Sequence, residues 1–140
     1  MVTRHLRTAR PPSRLLEPGA GDPEVLLDVE YERGCLYLVL ANVGWVTAFD
    51  VRVEFRQPLR GAGGDVDIAA LAVFRKLPLL RSGKEIRVFV DVARDLLARR
   101  GPKLVRAEVS YRGRDRKRLG ETFTHDLRIW RDWGDALVRD

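Results

Sequence analysis

Few side chains in this sequence have the types and spacings that catalysis requires. His125 follows Glu121 by four residues, which on a strand separates them by roughly 13 Å, too far for a hydrogen bond. The same spacing separates Asp50 from Glu54, which exceeds the range for paired glycosidase carboxylates. None of the serines lies in a G-x-S-x-G nucleophile motif; they are Ser13, Ser82 and Ser110. We therefore predict no catalytic residue and a protein that is not an enzyme.

Metal and cofactor motifs are also missing from the sequence. Cys35 is the single cysteine, so it has no intramolecular disulfide partner, and the two histidines cannot complete a four-ligand Cys/His zinc site with it. The glycine-rich stretch 61–64 lacks both the dinucleotide fingerprint and a following Lys-Ser/Thr, and Asp65-x-Asp67 lacks the other ligands of a calcium loop. We predict no metal, no cofactor and no small-molecule substrate, and we interpret Cys35 as an inert buried thiol.

Charge is the most unusual bulk property of the chain. Its 140 residues include 26 basic and 20 acidic ones, for a net charge of +6. The asymmetry is pronounced, because residues 1–70 contain 8 basic and 10 acidic residues whereas residues 71–140 contain 18 and 10. A basic balance favours attraction to nucleic acid, to an anionic membrane or to an acidic protein, without selecting among them.

A basic run is the first candidate binding site. Five cations cluster at an expected hairpin tip: Arg112, Arg114, Arg116, Lys117 and Arg118. A solvated charged loop explains this run about as well as a finger that binds phosphates or an acidic protein. Aromatic residues are sparse around it, which makes a single-stranded nucleic-acid platform the weaker interpretation.

The C-terminal segment is the second candidate. Ile129, Trp133 and Leu137 recur every four residues and Trp130 flanks them, so a helix would carry them on one apolar stripe. Tryptophan is a frequent anchor at protein interfaces, although the stripe could equally pack back on the body of the protein. Gly134 would weaken such a helix by roughly 1 kcal/mol.

The chain divides into three segments by pattern. Residues 1–23 are rich in arginine and proline and show no period, which predicts a flexible basic arm, either extended along a partner or frayed. Residues 24–128 form one domain, and residues 129–140 form the amphipathic tail. Neither a signal-peptide h-region nor a transmembrane run of about 20 apolar residues is present, so we expect a cytoplasmic protein.

Alternation of apolar and polar residues defines the strands of the domain. Residues 25–32, 35–41, 48–56 and 85–92 show strand patterns, and we expect the second and third of these to pair as a hairpin. We expect residues 42–47 to supply positive φ angles for that reversal. Residues 66–74 form either a strand or a short helix, of which we favour the strand. A short crossover helix is expected over 93–100 and a second hairpin over 103–126. About seven strands with one short helix and extended termini predict an all-β antiparallel sandwich.

The order of these motifs resembles a known family. The pattern Leu36-x-Leu-Val-Leu-x-Asn42-x-Gly44, followed by Leu80-x-x-Gly83-Lys84-x-Ile86 and then Val105 to Tyr111, is similar to bacterial immunoglobulin-like β-sandwich domains of the cell-adhesion-related type. The resemblance covers roughly residues 25–127 and implies a scaffold for binding or spacing, with the asparagine-glycine pair turning the first hairpin. The chain departs from antibody-type domains in lacking the second cysteine and the strand-C tryptophan.

Together these features predict a non-enzymatic accessory or scaffold domain that mediates protein–protein interaction within a larger complex. The basic run and the apolar tail are the expected contact residues. The alternative is a nucleic-acid-binding module that uses the 112–118 hairpin.

Overall fold

The computed structural model describes residues 21–132, and most of them lie in strands or in the turns between strands. The seven main strands are β1 (Val25–Glu32), β2 (Cys35–Asn42), β3 (Ala48–Phe55), β6 (Leu77–Leu80), β7 (Glu85–Val92), β8 (Leu104–Arg112) and β9 (Arg118–Asp126). Between β3 and β6 the chain forms a two-residue pair, β4 (Arg60–Gly61) and β5 (Val66–Asp67), and the short helix α1 (Ala72–Arg75). A second short helix, α2 (Ala93–Ala98), follows β7 directly.

The main strands form two antiparallel sheets. One sheet has three strands in the order β1-β2-β7, and the other has four in the order β6-β3-β8-β9. Both sheets contribute buried side chains to one core, including Leu38 and Leu40 from β2, Val51 from β3 and Val109 from β8. The expected all-β class is therefore confirmed, and each sheet has an inner face towards this core and an outer face away from it.

Two hairpins arise from local sequence. Arg33 and Gly34 both take positive φ angles, of 51° and 83°, and join β1 to β2 in the two-residue turn that such a reversal favours. The expected hairpin between β8 and β9 also forms, with Arg112 opposite Arg118 next to the turn. The short loop and clean alternation made the β8–β9 pairing predictable, whereas the pairing of β1 with β2 was not predicted.

The expected hairpin between residues 35–41 and 48–56 is wrong. β2 pairs with β1 and β7, whereas β3 pairs with β6 and β8, so the connector 43–47 crosses from one sheet to the other. The positive φ angles expected for residues 42–47 are also wrong, since neither Asn42 nor Gly44 adopts one. A Cβ at Gly44 would lie 2.6 Å from the backbone nitrogen of Glu24, so the glycine is required by the close passage of the chain entering β1.

Two bulges change which side chains face the core. In β3, strict alternation with Val51 and Val53 predicts that Phe49 points inside, but Asp50 takes a φ of 52° at a register shift and Phe49 is 40% exposed. In β7, the register with β2 skips Val90, and both Val90 and Asp91 are buried while Val92 faces outward. A bulge adds one residue to one strand, and the side-chain alternation reverses beyond it.

The segment between β3 and β6 departs most from expectation. The strand favoured over 66–74 is wrong, because only Val66 and Asp67 belong to a strand. The chain then forms a 3-10 turn over Ile68–Ala70 and helix α1, so the helical alternative is correct for the end of the segment. Ile68 and Phe74 from this segment are fully buried in the core. The crossover helix expected over 93–100 is present in a shorter form as α2. Within residues 21–132, no helix is long and apolar enough to cross a bilayer.

Candidate functional site

The basic run lies at the turn between β8 and β9, as the sequence suggested. The turn is closed by hydrogen bonds from the Gly113 N–H to the Lys117 carbonyl at 3.3 Å and from the Arg116 N–H to the Gly113 carbonyl at 3.1 Å. Asp115 accepts a hydrogen bond from the backbone N–H of Lys117, which fixes the loop from within. The side chains of Arg114, Arg116 and Lys117 are exposed at this tip.

The two end residues of the run serve a different purpose. Arg112 and Arg118 face each other across β8 and β9 and point to the outer face of the four-stranded sheet, where both approach Asp50. Arg118 Nη1 lies 3.0 Å from Asp50 Oδ2, and Arg112 Nε lies 3.8 Å from the same oxygen. Arg52 Nε, from the same strand as the aspartate, lies 3.2 Å from Asp50 Oδ1.

Asp50 thus holds three arginines together on the sheet. Its partial burial acts to raise the pKa of the carboxyl group, but attraction to Arg52, Arg118 and Arg112 outweighs that effect and lowers the pKa below its ordinary value. Arg118 is further fixed because it donates to Ser110 Oγ at 2.7 Å and to the Asp50 carbonyl at 3.1 Å. One carboxylate among three guanidinium groups leaves an ordered surface with excess positive charge.

Apolar side chains border this cluster. Phe49 lies directly opposite Arg112 on β8 and opposite Leu79 on β6. Phe49 is 40% exposed and Leu79 is 45% exposed, and because they are paired across β3 and β6 they lie side by side on this surface. We call this surface the β3 face, and it consists of Phe49, Asp50, Arg52, Leu79, Arg112 and Arg118.

The sequence singled out only Arg112 and Arg118 of the six residues of the β3 face. The alternation of β3 placed Phe49 in the core, and only the bulge at Asp50 turns it outward. Farther along the same outer face, Arg56 lies 3.6 Å from Glu108 and 3.9 Å from Glu54. The face therefore mixes arginines, carboxylates and apolar groups, as protein interfaces do.

The structure divides the apolar tail residues. Ile129 is 66% exposed. Trp130 instead stacks on Tyr31 of β1, with ring centroids 6.0 Å apart and an interplanar angle of 11°. Trp133 and Leu137 lie outside the described residues, so their expected role stays a prediction.

The start of the tail is fixed by one carboxylate. Asp126 accepts from the Arg128 backbone N–H at 3.0 Å and forms two hydrogen bonds with its guanidinium, at 2.9 Å and 2.8 Å. These hydrogen bonds, with the guanidinium as the largest cause, lower the pKa of Asp126 to about 2. Leu127, at the first position of the 3-10 turn that follows, is buried in the core.

A small cleft lies at the opposite end of β8 from the hairpin tip. Its volume is about 160 Å³, and its lining includes the cations Arg60, Arg99, Arg100 and Lys103. Two of them hold the structure together: Arg99 pairs with the buried Asp91 at 2.7 Å, and Lys103 donates to the carbonyls of Arg99 and Gly101. These contacts tie the loop after α2 to β7, which explains why cations gather there.

His125 and Cys35 both lie at partly buried positions of the fold. His125 is half-buried, and its Nε2 atom lies 2.7 Å from the Leu27 carbonyl, where it links the edges of the two sheets. Cys35 is half-buried at the start of β2. Within residues 21–132, no three His, Cys, Asp or Glu side chains lie close enough together to hold a metal ion.

Comparison with known proteins gives one family. Residues 1–131 match the family model described as Domain of unknown function (DUF8453). Neither the curated proteins nor the solved structures gave a match. The match includes the basic arm and ends before Trp133.

Proposed function

The chain belongs to the DUF8453 domain family, and we propose that it is a non-enzymatic accessory domain whose β3 face and basic hairpin tip dock on an acidic protein surface within a larger assembly. The observation that carries this proposal is the exposed pair Phe49 and Leu79, which borders arginines held in place by Asp50. The proposed setting is the cytoplasm.

We infer that the fold is of the immunoglobulin-like type that the sequence resembled. The strand order supports this inference, because β1, β2 and β7 take the places of strands A, B and E, while β3, β8 and β9 take those of C, F and G. β6 pairs with β3 on the far side from β8, as an added C′ strand would. Such a scaffold presents surfaces on its sheets and loops, and the chemistry of those surfaces decides its function.

The β3 face has the composition of an interface centre. Arginine and aromatic residues are enriched at interfaces and supply most of their energetic hot spots. Phe49 offers an apolar anchor, while Arg52 and Arg112 beside it can form forked hydrogen bonds with carboxylates of a partner. Asp50 already restrains these guanidinium groups, which lowers the entropy lost when they bind.

The hairpin tip extends this surface at its edge. Arg114, Arg116 and Lys117 are exposed there and add charge that accelerates association with an acidic partner. An acidic protein suits the whole surface better than a nucleic acid does, because the exposed Phe49 and Leu79 can pack against apolar groups of a protein, whereas a phosphate backbone offers them no such contact.

Two variants, one that removes apolar side chains and one that reverses charges, distinguish an acidic protein partner from a nucleic acid partner. The apolar variant carries Phe49→Ala and Leu79→Ala, and the charge variant carries Arg114→Glu, Arg116→Glu and Lys117→Glu. A matched control reverses three exposed arginines elsewhere, namely Arg75, Arg94 and Arg131. Each protein is used to capture polypeptides from the native cell. The captured polypeptide is then purified, and surface plasmon resonance measures its affinity and its association rate with each variant.

For a docked acidic protein we expect the apolar variant to weaken binding by at least about tenfold, the effect of losing one hot-spot residue. We expect the charge variant mainly to slow association, and the control to bind like the natural protein. If affinity for the polypeptide is the same in all variants, the β3 face is not the docking surface. If the protein instead binds DNA or RNA with steep salt dependence and the apolar variant binds equally well, the nucleic-acid alternative is correct.

A further inference from the structure

Strand β2 is buried on both of its faces. Leu38 and Leu40 point into the core, and the alternating residues Val39 and Ala41 point to the outer face of the three-stranded sheet, yet each of the two is only 1% exposed. An antiparallel sheet commonly packs one face on the core and leaves the other to water. The ion pair between Arg87 and Glu30, on the two strands that flank β2, crosses this face over Tyr37 and covers part of it near Val39. Ala41 lies beyond that ion pair and is equally buried, which indicates a further cover there.

The burial is uneven along that face. Ala41 lies near the end of the sheet where the chain enters β1, opposite Leu26 on that strand. Towards the other end, Phe89 on β7 is 43% exposed. Within the described residues, the extensive packing of β1 and β2 is against each other, against β7 and, for β1, against β8 and β9. The cover thus belongs to the end of the face nearest residue 21.

Carboxylates dominate the outer face around Val39. Asp28, Glu30 and Glu32 lie on β1 and Glu85 lies on β7, with Arg87 as the cation among them. Arg87 bonds to Glu30 at 3.1 Å and to Glu32 at 2.6 Å. The face offers an apolar floor with an acidic border, which suits a cover that is both apolar and basic.

Residues 1–20, which precede the described part of the chain, have that chemistry. They contain Arg4, Arg7, Arg10 and Arg14 with one acidic residue, Glu17, and Leu15 and Leu16 are apolar. At about 3.3 Å per residue, 20 residues reach roughly 65 Å, which exceeds the length of the eight-residue strands that they would cover. The C-terminal residues 133–140 contain two aspartates and one arginine, so their charge does not suit an acidic face.

The backbone turns at Gly21, directly after this segment. Gly21 has a φ of 84°, a conformation that glycine adopts readily and other residues avoid. Pro23 is buried, and its Cα and Cδ pass close to Gly44 and Gly113, so the chain is held firmly just after that turn. The family match begins at residue 1, so the arm is part of the domain that the family shares.

We infer that the basic arm, residues 1–20, folds back at Gly21 and covers the outer face of the β1-β2-β7 sheet near Val39 and Ala41, with its arginines against Asp28, Glu30 and Glu85. This contact lies on the sheet opposite the β3 face and does not depend on the function proposed above. The arm then serves as part of the fold, and the β3 face and hairpin tip stay available to a partner.

A paramagnetic label on the full-length chain tests this contact. A nitroxide is attached to Thr8→Cys in a Cys35→Ser background, and amide signals are compared with the label oxidised and reduced. We expect the amides of Asp28, Val39 and Arg87 to lose much more intensity than those of Arg52 and Glu108, which lie about 10 Å farther from the label on the other sheet. A control label at Thr122→Cys, on the outer face of the four-stranded sheet, should give the reverse pattern.

Cysteine accessibility gives a second measurement. Ala41→Cys, in the same background, should react slowly with a thiol reagent, and much faster when Arg7, Arg10 and Arg14 are all changed to glutamate. The reaction rate of Thr122→Cys should not respond to the arm charges.

Three results would overturn the inference. The first is equal signal loss on both sheets, and the second is a reaction rate at Ala41→Cys that ignores the arm charges. The third comes from mixing isotope-labelled protein without a nitroxide with unlabelled protein that carries it: signal loss in that mixture would place the arm on a second copy instead.

Discussion

Replacing Asn42 by alanine should be among the most destabilising substitutions at the junctions between strands and loops. Asn42 is fully buried at the end of β2. Its Nδ2 donates to the carbonyls of Val46 and Leu80, each at 2.9 Å. Its Oδ1 accepts from the backbone N–H of Gly44 at 3.0 Å and from that of Glu24 at 3.3 Å. One side chain thus joins the start of β1, the sheet-crossing connector and the end of β6.

The magnitude follows from these four hydrogen bonds. Each contributes about 1 kcal/mol net, and a buried partner left without a bond costs about 1–3 kcal/mol. Water can reach the longer bond to Glu24 more easily, so we take about 3–5 kcal/mol for the loss of folding free energy in Asn42→Ala. For a domain of this size about 1 kcal/mol corresponds to roughly 4 °C, so Tm should fall by about 12–20 °C.

Urea and thermal unfolding followed by circular dichroism measure this effect. Ser82→Ala provides a graded comparison, because Ser82 Oγ donates one hydrogen bond, at 2.6 Å, to the Gly44 carbonyl of the same connector. We expect Ser82→Ala to cost about 1 kcal/mol and the exposed Thr122→Ala to stay within about 0.5 kcal/mol of the natural protein. A cost below about 1 kcal/mol for Asn42→Ala would refute the reasoning, since water would then have replaced all four bonds.

Two further predictions concern the start of the tail. Trp130→Ala should lower the unfolding free energy by more than the roughly 0.5–1.5 kcal/mol of an aromatic pair, because the stack on Tyr31 and the partial burial of the indole are both lost. Chemical denaturation measures this loss. An unchanged unfolding midpoint would show that the stack does not form. The Asp126 carboxyl should titrate at about 2 in an NMR pH series and nearer 3.8 in Arg128→Ala. Because its pKa is lower in the folded state, the stabilisation is present above about pH 4 and is lost as pH falls towards 2, and a midpoint near 3.8 in the natural protein would contradict the assignment.

One part of the candidate site was predictable from the sequence and another part was not. The basic run was readable as a hairpin tip, because the strands on both sides alternate cleanly and the turn is short. The sequence did not predict that the cations at the tip are exposed whereas Arg112 and Arg118 pair with Asp50 on the sheet. That division depends on Asp50, which lies 68 residues from Arg118 in sequence and 3.0 Å from it in space.

The same limit applies to Asn42 and Gly44. Their residue types suggested a turn, since asparagine and glycine tolerate positive φ. In the structure the asparagine is a buried hydrogen-bonding centre and the glycine makes room for the chain that enters β1. Both roles depend on the approach of a separate segment, which no local pattern records.

The sequence by itself determined the all-β class, most strand positions and the hairpin of β8 and β9, because strand alternation and turn chemistry act over a few residues. Only the tertiary structure decided that β2 and β3 belong to different sheets, and that bulges expose Phe49 and bury Asp91. The physical reason is that a strand chooses its partners by the total packing of the core. A single added residue then reverses every side chain beyond it, at little local cost.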